Sequence, residues 1–222
     1  MIFANNASTH KGSSMSYLRR FTIFQRLAML VSVVVIGLLF LSITSLTQQY
    51  SSLKTEQYTK TKNLVEAAHS LISHAYSLEQ AGTLNKQQAQ QHALDTIAAM
   101  RYDESNYYWT NDYQPNMVMH PIKPDLNGKS LANNKDPDGT LLFIEMVNIV
   151  KQQGSGFVPY KWPKPGKDQP VDKIAFVKGF TPWQWIIGSG VYLDTIDEAF
   201  SELRTLMIIN ASVILLLFIS LT

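Results

Sequence analysis

The chain contains no cysteine, which removes disulfide frameworks, thiolate zinc sites and cysteine nucleophiles together. Charge is also scarce, with only 16% of the 222 residues being Asp, Glu, Lys or Arg. No acid occurs in residues 1–47, and no charge of either sign occurs between Leu27 and Leu53. Low-complexity tracts, internal repeats and long linkers are missing, and an aromatic content of 11% argues against a disordered chain. There is no HExxH or other metal motif, and His69 and His74, five apart, do not share a helix face. Gly154-Ser155-Gly156 and Gly188-Ser189-Gly190 lack the further glycines of a dinucleotide loop and read as turns or tight sheet packing. Nothing in residues 48–203 assembles a nucleophile, a base and an oxyanion site, so no catalysis, cofactor or metal is expected.

The charge that is present lies unevenly. Lys11, Arg19, Arg20 and Arg26 give residues 1–47 a charge of +4, and the remainder of the chain holds −2 of the total +2. A nucleic-acid binder would carry its cations on the folded part, whereas these sit in a short leader beside an apolar run. Leu27–Leu46 is 20 residues dominated by Leu, Val and Ile, enough to cross a bilayer core as a helix. Its basic flank puts the N-terminus in the cytoplasm and exports the chain beyond the span. A cleaved signal peptide fits less well, because the basic region is long and no small-x-small site comes after it. Thr205–Thr222 is again uncharged and apolar, so a second span is expected, with the chain as the front part of a longer polypeptide. The expected organisation is a cytoplasmic segment 1–26, a span 27–47, an exported domain 48–203 and a second, truncated span 204–222.

Within the exported part, residues 50–80 lack helix breakers and place Leu64, Ala68, Leu71, Ala75 and Leu78 on one stripe of a long helix. Gly82 ends it, and Asn85 with Gln88 forms a capping signature for a second helix through about Met100, with Ala89, Ala93, Ile97 and Met100 inward. The pattern then becomes extended. Asn106–Asp112 and Met117–His120 read as a hairpin around Pro115. Asp136-Pro137 reads as a helix start, carried to a stop at Gly154. Extended segments come next at Gly156–Trp162, Asp172–Phe180 and Trp185–Val191, and a helix resumes from Asp194 into the second apolar run. The fold class is α+β with an antiparallel sheet and a long N-terminal helix, flanked by two transmembrane helices.

Four blocks add a resemblance: RYDESNYYWTND (101–112), MVMHPIKPDLNGKSL (117–131), GFVPYKWPKPG (156–166) and FVKGFTPWQWIIGSGVY (176–192). In this order they resemble the single Cache sensor domain of the subtype common in bacterial chemoreceptors, over residues 48–203. The two-span layout is similar to the front of a methyl-accepting chemotaxis protein. The resemblance implies a PAS-like sheet and a periplasmic ligand-binding domain in the inner membrane. It also implies small organic acids as ligands, a homodimer, and cytoplasmic signalling partners reached through a further C-terminal part. A histidine kinase, a diguanylate cyclase, or a docking module for a periplasmic binding protein are the alternatives.

A small carboxylate in a dry pocket needs a cation or several donors. Alternation puts Lys178 on one strand face with Ile174, Phe176 and Phe180, as an anion anchor or as an edge lysine reaching water. His120, ending a strand, is a donor to the ligand or a structural histidine. Arg101 is a bidentate clamp or a helix C-terminal cap. Trp109 with Tyr160 and Trp162 makes an aromatic wall, or ordinary core. Phe143 and Met146 on the middle helix close such a pocket or belong to the core.

Overall fold

A computed structural model of the chain describes residues 22–103 and 106–221. It contains two compact units: residues 50–201, and a second unit formed by the stretches before 50 and after 201. Most of the expected cytoplasmic segment, and Thr222, lie outside the described residues.

In the second unit, helix α1 (Ile23–Gln80) supplies its first half and helix α4 (Leu193–Leu221) its last part. Ile23, Val33, Ile36 and Phe40 are each at least 65% exposed. A row of bare aliphatic side chains of this kind is unfavourable in water. Among the described residues α1 is the one helix established as long and apolar enough to cross a membrane. α4 also exposes Leu206, Ile208 and Leu216, and its Met207 and Asn210 line a small cleft with Val35, Leu38 and Ser42.

Residues 50–201 hold the sheet. Helix α2 (Lys86–Ala99) starts from Asn85, whose side chain accepts from the Gln88 amide at 2.9 Å while Gln88 accepts from the Asn85 amide at 3.0 Å. This is the capping box read from the sequence. Six strands come after it: β1 (Arg101–Tyr102), β2 (Asn106–Asp112), β3 (Met117–Met119), β4 (Ser155–Pro163), β5 (Pro170–Phe180) and β6 (Trp185–Tyr192). The order is β1-β2-β6-β5-β4, with β3 also on β2, and every pairing is antiparallel. Helix α3 (Leu142–Gln153) intervenes between β3 and β4 and stops at Gly154, whose φ of 77° is left-handed.

The sheet has one face toward α1 and α2 and one toward α3. On the first, Tyr108, Phe176, Phe180 and Ile187 pack with Val65, Ala68, Ile72 and Ala75 of α1 and Ala89, Ala93 and Ile97 of α2. The second carries Tyr107, Trp109, Val158, Tyr160, Ala175 and Val177 and packs against α3 through Phe143, Met146 and Val150. The sheet therefore lies between two helical layers, and its strand alternation assigns every side chain to one of them.

Two expectations need correction, and a third resolves to one of its two alternatives. The inward stripe of α1 runs through Thr61, Val65, Ala68, Ile72 and Ala75, and Leu71 is 38% exposed, because the neighbouring β-branched positions face the sheet. α3 begins at Leu142 instead of Asp136-Pro137. Gly139, at φ 86°, interrupts the chain, and the Asp136 carboxylate closes the turn. Its Oδ1 accepts from the amides of Asp138 and Thr140 at 3.0 and 2.8 Å, and its Oδ2 accepts from the Lys161 amide at 3.0 Å. Burial pushes this carboxyl up, but the bonds from Lys161, Thr140 and Asp138 outweigh it and hold the group below the usual range. Finally, Gly188 and Gly190 are mid-strand in β6, which makes them the tight-packing alternative and not a turn.

Candidate functional site

Lys173 is the feature around which the α3 face of the sheet is organised. It is 1% exposed, lies opposite Tyr160 on β4 and Tyr192 on β6, and has no carboxylate within ion-pair distance among the described residues. Its ammonium donates to the Tyr107 hydroxyl at 3.3 Å and the Tyr192 hydroxyl at 3.4 Å. Both are long for charge-assisted bonds, and the third proton is unspent. The same ammonium lies 4.4, 4.5 and 5.5 Å from the ring centroids of Tyr107, Tyr192 and Trp109, close enough for each quadrupole to hold it in place of an anion. Burial pushes its pKa down to about 7.

Two glycines make room for this arrangement. A Cβ at Gly188 would run into the Trp109 indole, and one at Gly190 would come within 2.9 Å of Lys173 Cε and 2.7 Å of the Ile174 carbonyl. Because β6 is bare at these positions, an indole and a lysine stem lie flat across it.

His120, 3% exposed, lies near enough for the charge of Lys173 to act on it. Its Nδ1 accepts from the backbone amides of Ile122 and Lys123 at 3.3 and 3.0 Å. Those bonds leave the proton on Nε2, so the neutral ring is a donor. Burial, then the charges of Lys173 and Lys123, push its pKa down to about 3. The ring lies 5.0 Å from Tyr107 and 6.1 Å from Trp162 between centroids. Lys123 covers the Trp162 ring at 4.8 Å. Trp162 in turn meets Phe143 at 6.1 Å and Tyr160 at 6.3 Å. Burial also pushes the Tyr107 hydroxyl up to about 12 against the opposing hydrogen bonds with Tyr192 and Trp162, so it stays a neutral donor and acceptor. The cluster therefore offers a cation, a histidine N–H and tyrosine hydroxyls inside an aromatic enclosure, a set suited to one small anion.

Of the eight sequence candidates, Trp109, Phe143, Met146, Tyr160 and Trp162 belong to this one cluster, and His120 faces it. Two do not join it. Arg101 is exposed and donates to the carbonyls of Ala98 and Met100 at 2.6 and 2.7 Å, which is the capping alternative. Lys178 stands on the α1 face, where its charge acts on His69. Alternation along β5 has the expected period, but the buried cation lies on the opposite phase, because two lysines five apart fall on opposite faces. The missed residues are Lys173, Tyr107 and Tyr192. A signal was present in the small residues, since Ala175 and Gly179 share the Lys173 face and Gly188 and Gly190 lie beside it.

The dCache_2 Cache domain family profile matches residues 40–208. The chain belongs to the Cache domain family. The subtype label differs from the single Cache read from the motifs, and the described residues hold one sheet. This Cache domain is similar to two curated proteins and to two solved domains. It is 40% identical over 204 residues to the methyl-accepting chemotaxis protein McpP of Pseudomonas putida, covering 91% of the chain and 38% of McpP. It is 32% identical over 150 residues to the sensor histidine kinase MctS of Rhizobium johnstonii, covering 68% of the chain and 32% of MctS. The chain thus spans about a third of the length of either relative. Among solved structures, the periplasmic sensor domain of a chemotaxis protein shares 48% identity at a TM-score of 0.62, covering 63% of the chain and 96% of that domain. A Cache chemosensory domain described for its carboxylic acid recognition shares 44% identity at a TM-score of 0.62, covering 64% of the chain and 97% of that domain. The α+β Cache fold with its long N-terminal helix and antiparallel sheet, and the chemoreceptor type of the sensor domain, agree with the expectation from the sequence motifs.

Proposed function

We propose that the Cache domain binds a small organic carboxylate between Lys173 and His120 and reports its presence across a membrane. The observation that carries this reading is Lys173, a buried cation with aromatic rings and long hydroxyl contacts where a counter-anion would ordinarily stand. One carboxylate oxygen would take the ammonium proton left unspent, the other the Nε2–H of His120. Trp109, Tyr160, Trp162, Phe143 and Met146 would enclose the short apolar tail and exclude larger acids. The similarity to a domain described for carboxylic acid recognition supports the ligand class.

In this reading residues 27–47 and 204–222 are the two membrane spans. The domain at 48–203 faces the periplasm, and two copies pair as a homodimer in the inner membrane. The signal leaves through α4, which joins β6 without a linker residue, toward cytoplasmic partners of a further C-terminal part. Ligand biases this output only through its different affinity for the two arrangements of the outgoing helix. Receptor output without catalysis by this chain is favoured by the similarity to McpP, and coupling to a histidine kinase is the second reading, favoured by the similarity to MctS.

The test is thermal unfolding of the full chain in detergent micelles against acetate, propionate, pyruvate, lactate, malate, amino acids and amines. A ligand at a hundredfold excess over its dissociation constant adds about 2.7 kcal/mol. A shift with a small monocarboxylate that Lys173→Met abolishes is the expected result. A shift that survives Lys173→Met, or that amines alone produce, refutes the assignment.

A further inference from the structure

A cavity lies where β6 passes into α4, with Tyr192 in its lining. It measures about 270 Å³, and its polar lining is Gln57 and Lys60 of α1, Asp103, Asn106 of β2, Tyr192 of β6 and Thr195 of α4. Leu53 and Ile196 supply apolar wall. A single water needs only about 10–15 Å³ of such space, so the cavity takes a small organic molecule.

The chemistry of the lining is specific. Asn106 is 7% exposed, and its carboxamide, a donor and an acceptor side by side, borders the cavity with its polar atoms open to that space and not sealed off without a partner. An amide placed in this way is satisfied by water or by an occupant of the cavity. The charges around it are already matched: Lys60 pairs with Asp103 at 2.6 Å, and Lys164, also on the lining, pairs with Asp194 at 2.8 Å. A net anion or cation would have to break one of these pairs. The Thr195 hydroxyl accepts from Lys164 at 3.2 Å, and the other oxygen of Asp194, Oδ1, is buried without a partner among the described residues. Asp194 is not on the lining, so the unmet polar capacity that faces the cavity is that of the Asn106 amide, with no unmatched charge beside it.

We infer that this cavity is a second binding site, for a small molecule without net charge whose adjacent donor and acceptor pair with the Asn106 carboxamide. Its occupant would touch α1, α4 and Tyr192 together. The site does not rest on the carboxylate reading of Lys173, with which it shares only Tyr192.

The experiment uses the full chain in detergent micelles with 3-fluorotyrosine incorporated, the Tyr192 resonance being assigned by Tyr192→Phe. Acetamide and glycine are the probes, titrated separately and read by fluorine NMR. The expected result is a saturable shift of the Tyr192 resonance with at least one of them. Apparent affinity should weaken at least tenfold in Asn106→Leu and in Gln57→Trp, which fills the cavity without altering Asn106, and should persist in Lys173→Met. No saturable shift with either probe overturns the inference. So does a shift that Lys173→Met abolishes and Gln57→Trp leaves intact, since the probe would then occupy the first site. The Gln57→Trp arm keeps the test decisive where Asn106→Leu does not fold.

Discussion

Gly188 and Trp109 lie directly opposite each other on β6 and β2, and the indole occupies the space that a side chain at 188 would need. The large ring and the missing side chain are one packing unit, and Lys173 beside Gly190 repeats the arrangement further along the strand.

Gly188→Ala should therefore act as an overpacking change. The atoms that a methyl group meets belong to a ring buried on all sides, so the displacement spreads through the cluster and should cost about 1–3 kcal/mol. Differential scanning calorimetry should show a lower midpoint, and carboxylate binding should weaken with it. An unchanged midpoint would mean that Trp109 has somewhere else to go.

Lys178→Ala and Arg101→Gln should leave carboxylate affinity within twofold of the parent chain, because neither side chain reaches the Lys173 cluster. Lys173→Met should lose binding and at the same time stabilise the unliganded domain, since an apolar stem of similar shape replaces a buried charge that has no anion beside it. Calorimetric titration together with denaturant unfolding separates the two effects. A loss of affinity in Lys178→Ala as large as in Lys173→Met would reverse the assignment of the two lysines.

The same pair of lysines marks what the sequence makes legible. The helix stops at Gly82 and Gly154, the capping box at Asn85, the hairpin at β2 and β3, and all three C-terminal strands come from breakers, caps and alternation, which are local. The aromatic wall of Trp109, Tyr160 and Trp162 is legible for the same reason, because each alternation is fixed within its own strand. Which face of β5 meets α3 is a long-range fact. Ile174, Phe176 and Phe180 look like the face of a pocket, yet their bulk is what α1 covers, while the sparser face of Ala175 and Gly179 has room for rings from other strands. Asp136 misleads for a related reason: its side chain serves an amide of β4, 25 residues away, in place of a helix start.

Two titrations should shape the pH dependence. Lys173 has a folded pKa of about 7, below its unfolded value, so between about 7 and 10.5 the unfolded chain binds more protons and stability rises with pH. Below 7 the buried charge is fully present and its cost is complete. His120, at about 3 folded, contributes a second limb at lower pH: stability is full above about 6.5 and declines as pH falls through the window below it. Carboxylate affinity should be flat from about pH 7 down to the range near pH 5 where the ligand itself takes up a proton, and fall up to tenfold per unit above pH 7, with proton uptake on binding seen as a buffer-dependent enthalpy. Lys173→Met should erase the upper limb of the stability profile, and a profile unchanged by that substitution would contradict the assignment.

Asp136→Ala should release three backbone amides, those of Asp138, Thr140 and Lys161, at a cost of about 1–3 kcal/mol. Hydrogen exchange at Thr140 and Lys161 should accelerate well before exchange in β5 or β6. Equal acceleration throughout the sheet would indicate that the turn is no separate anchor.

Tyr192 closes β6 and Leu193 opens α4, so strand becomes helix without an intervening residue. A flexible connector would absorb small displacements as entropy and pass on only large ones. In the proposed receptor, a joint without slack would filter nothing, and α4 would inherit the thermal jitter of the strand as faithfully as any displacement imposed by an occupant. Fidelity at such a joint is a matter of signal against noise, and it is set by how tightly the residues around Tyr192 are held.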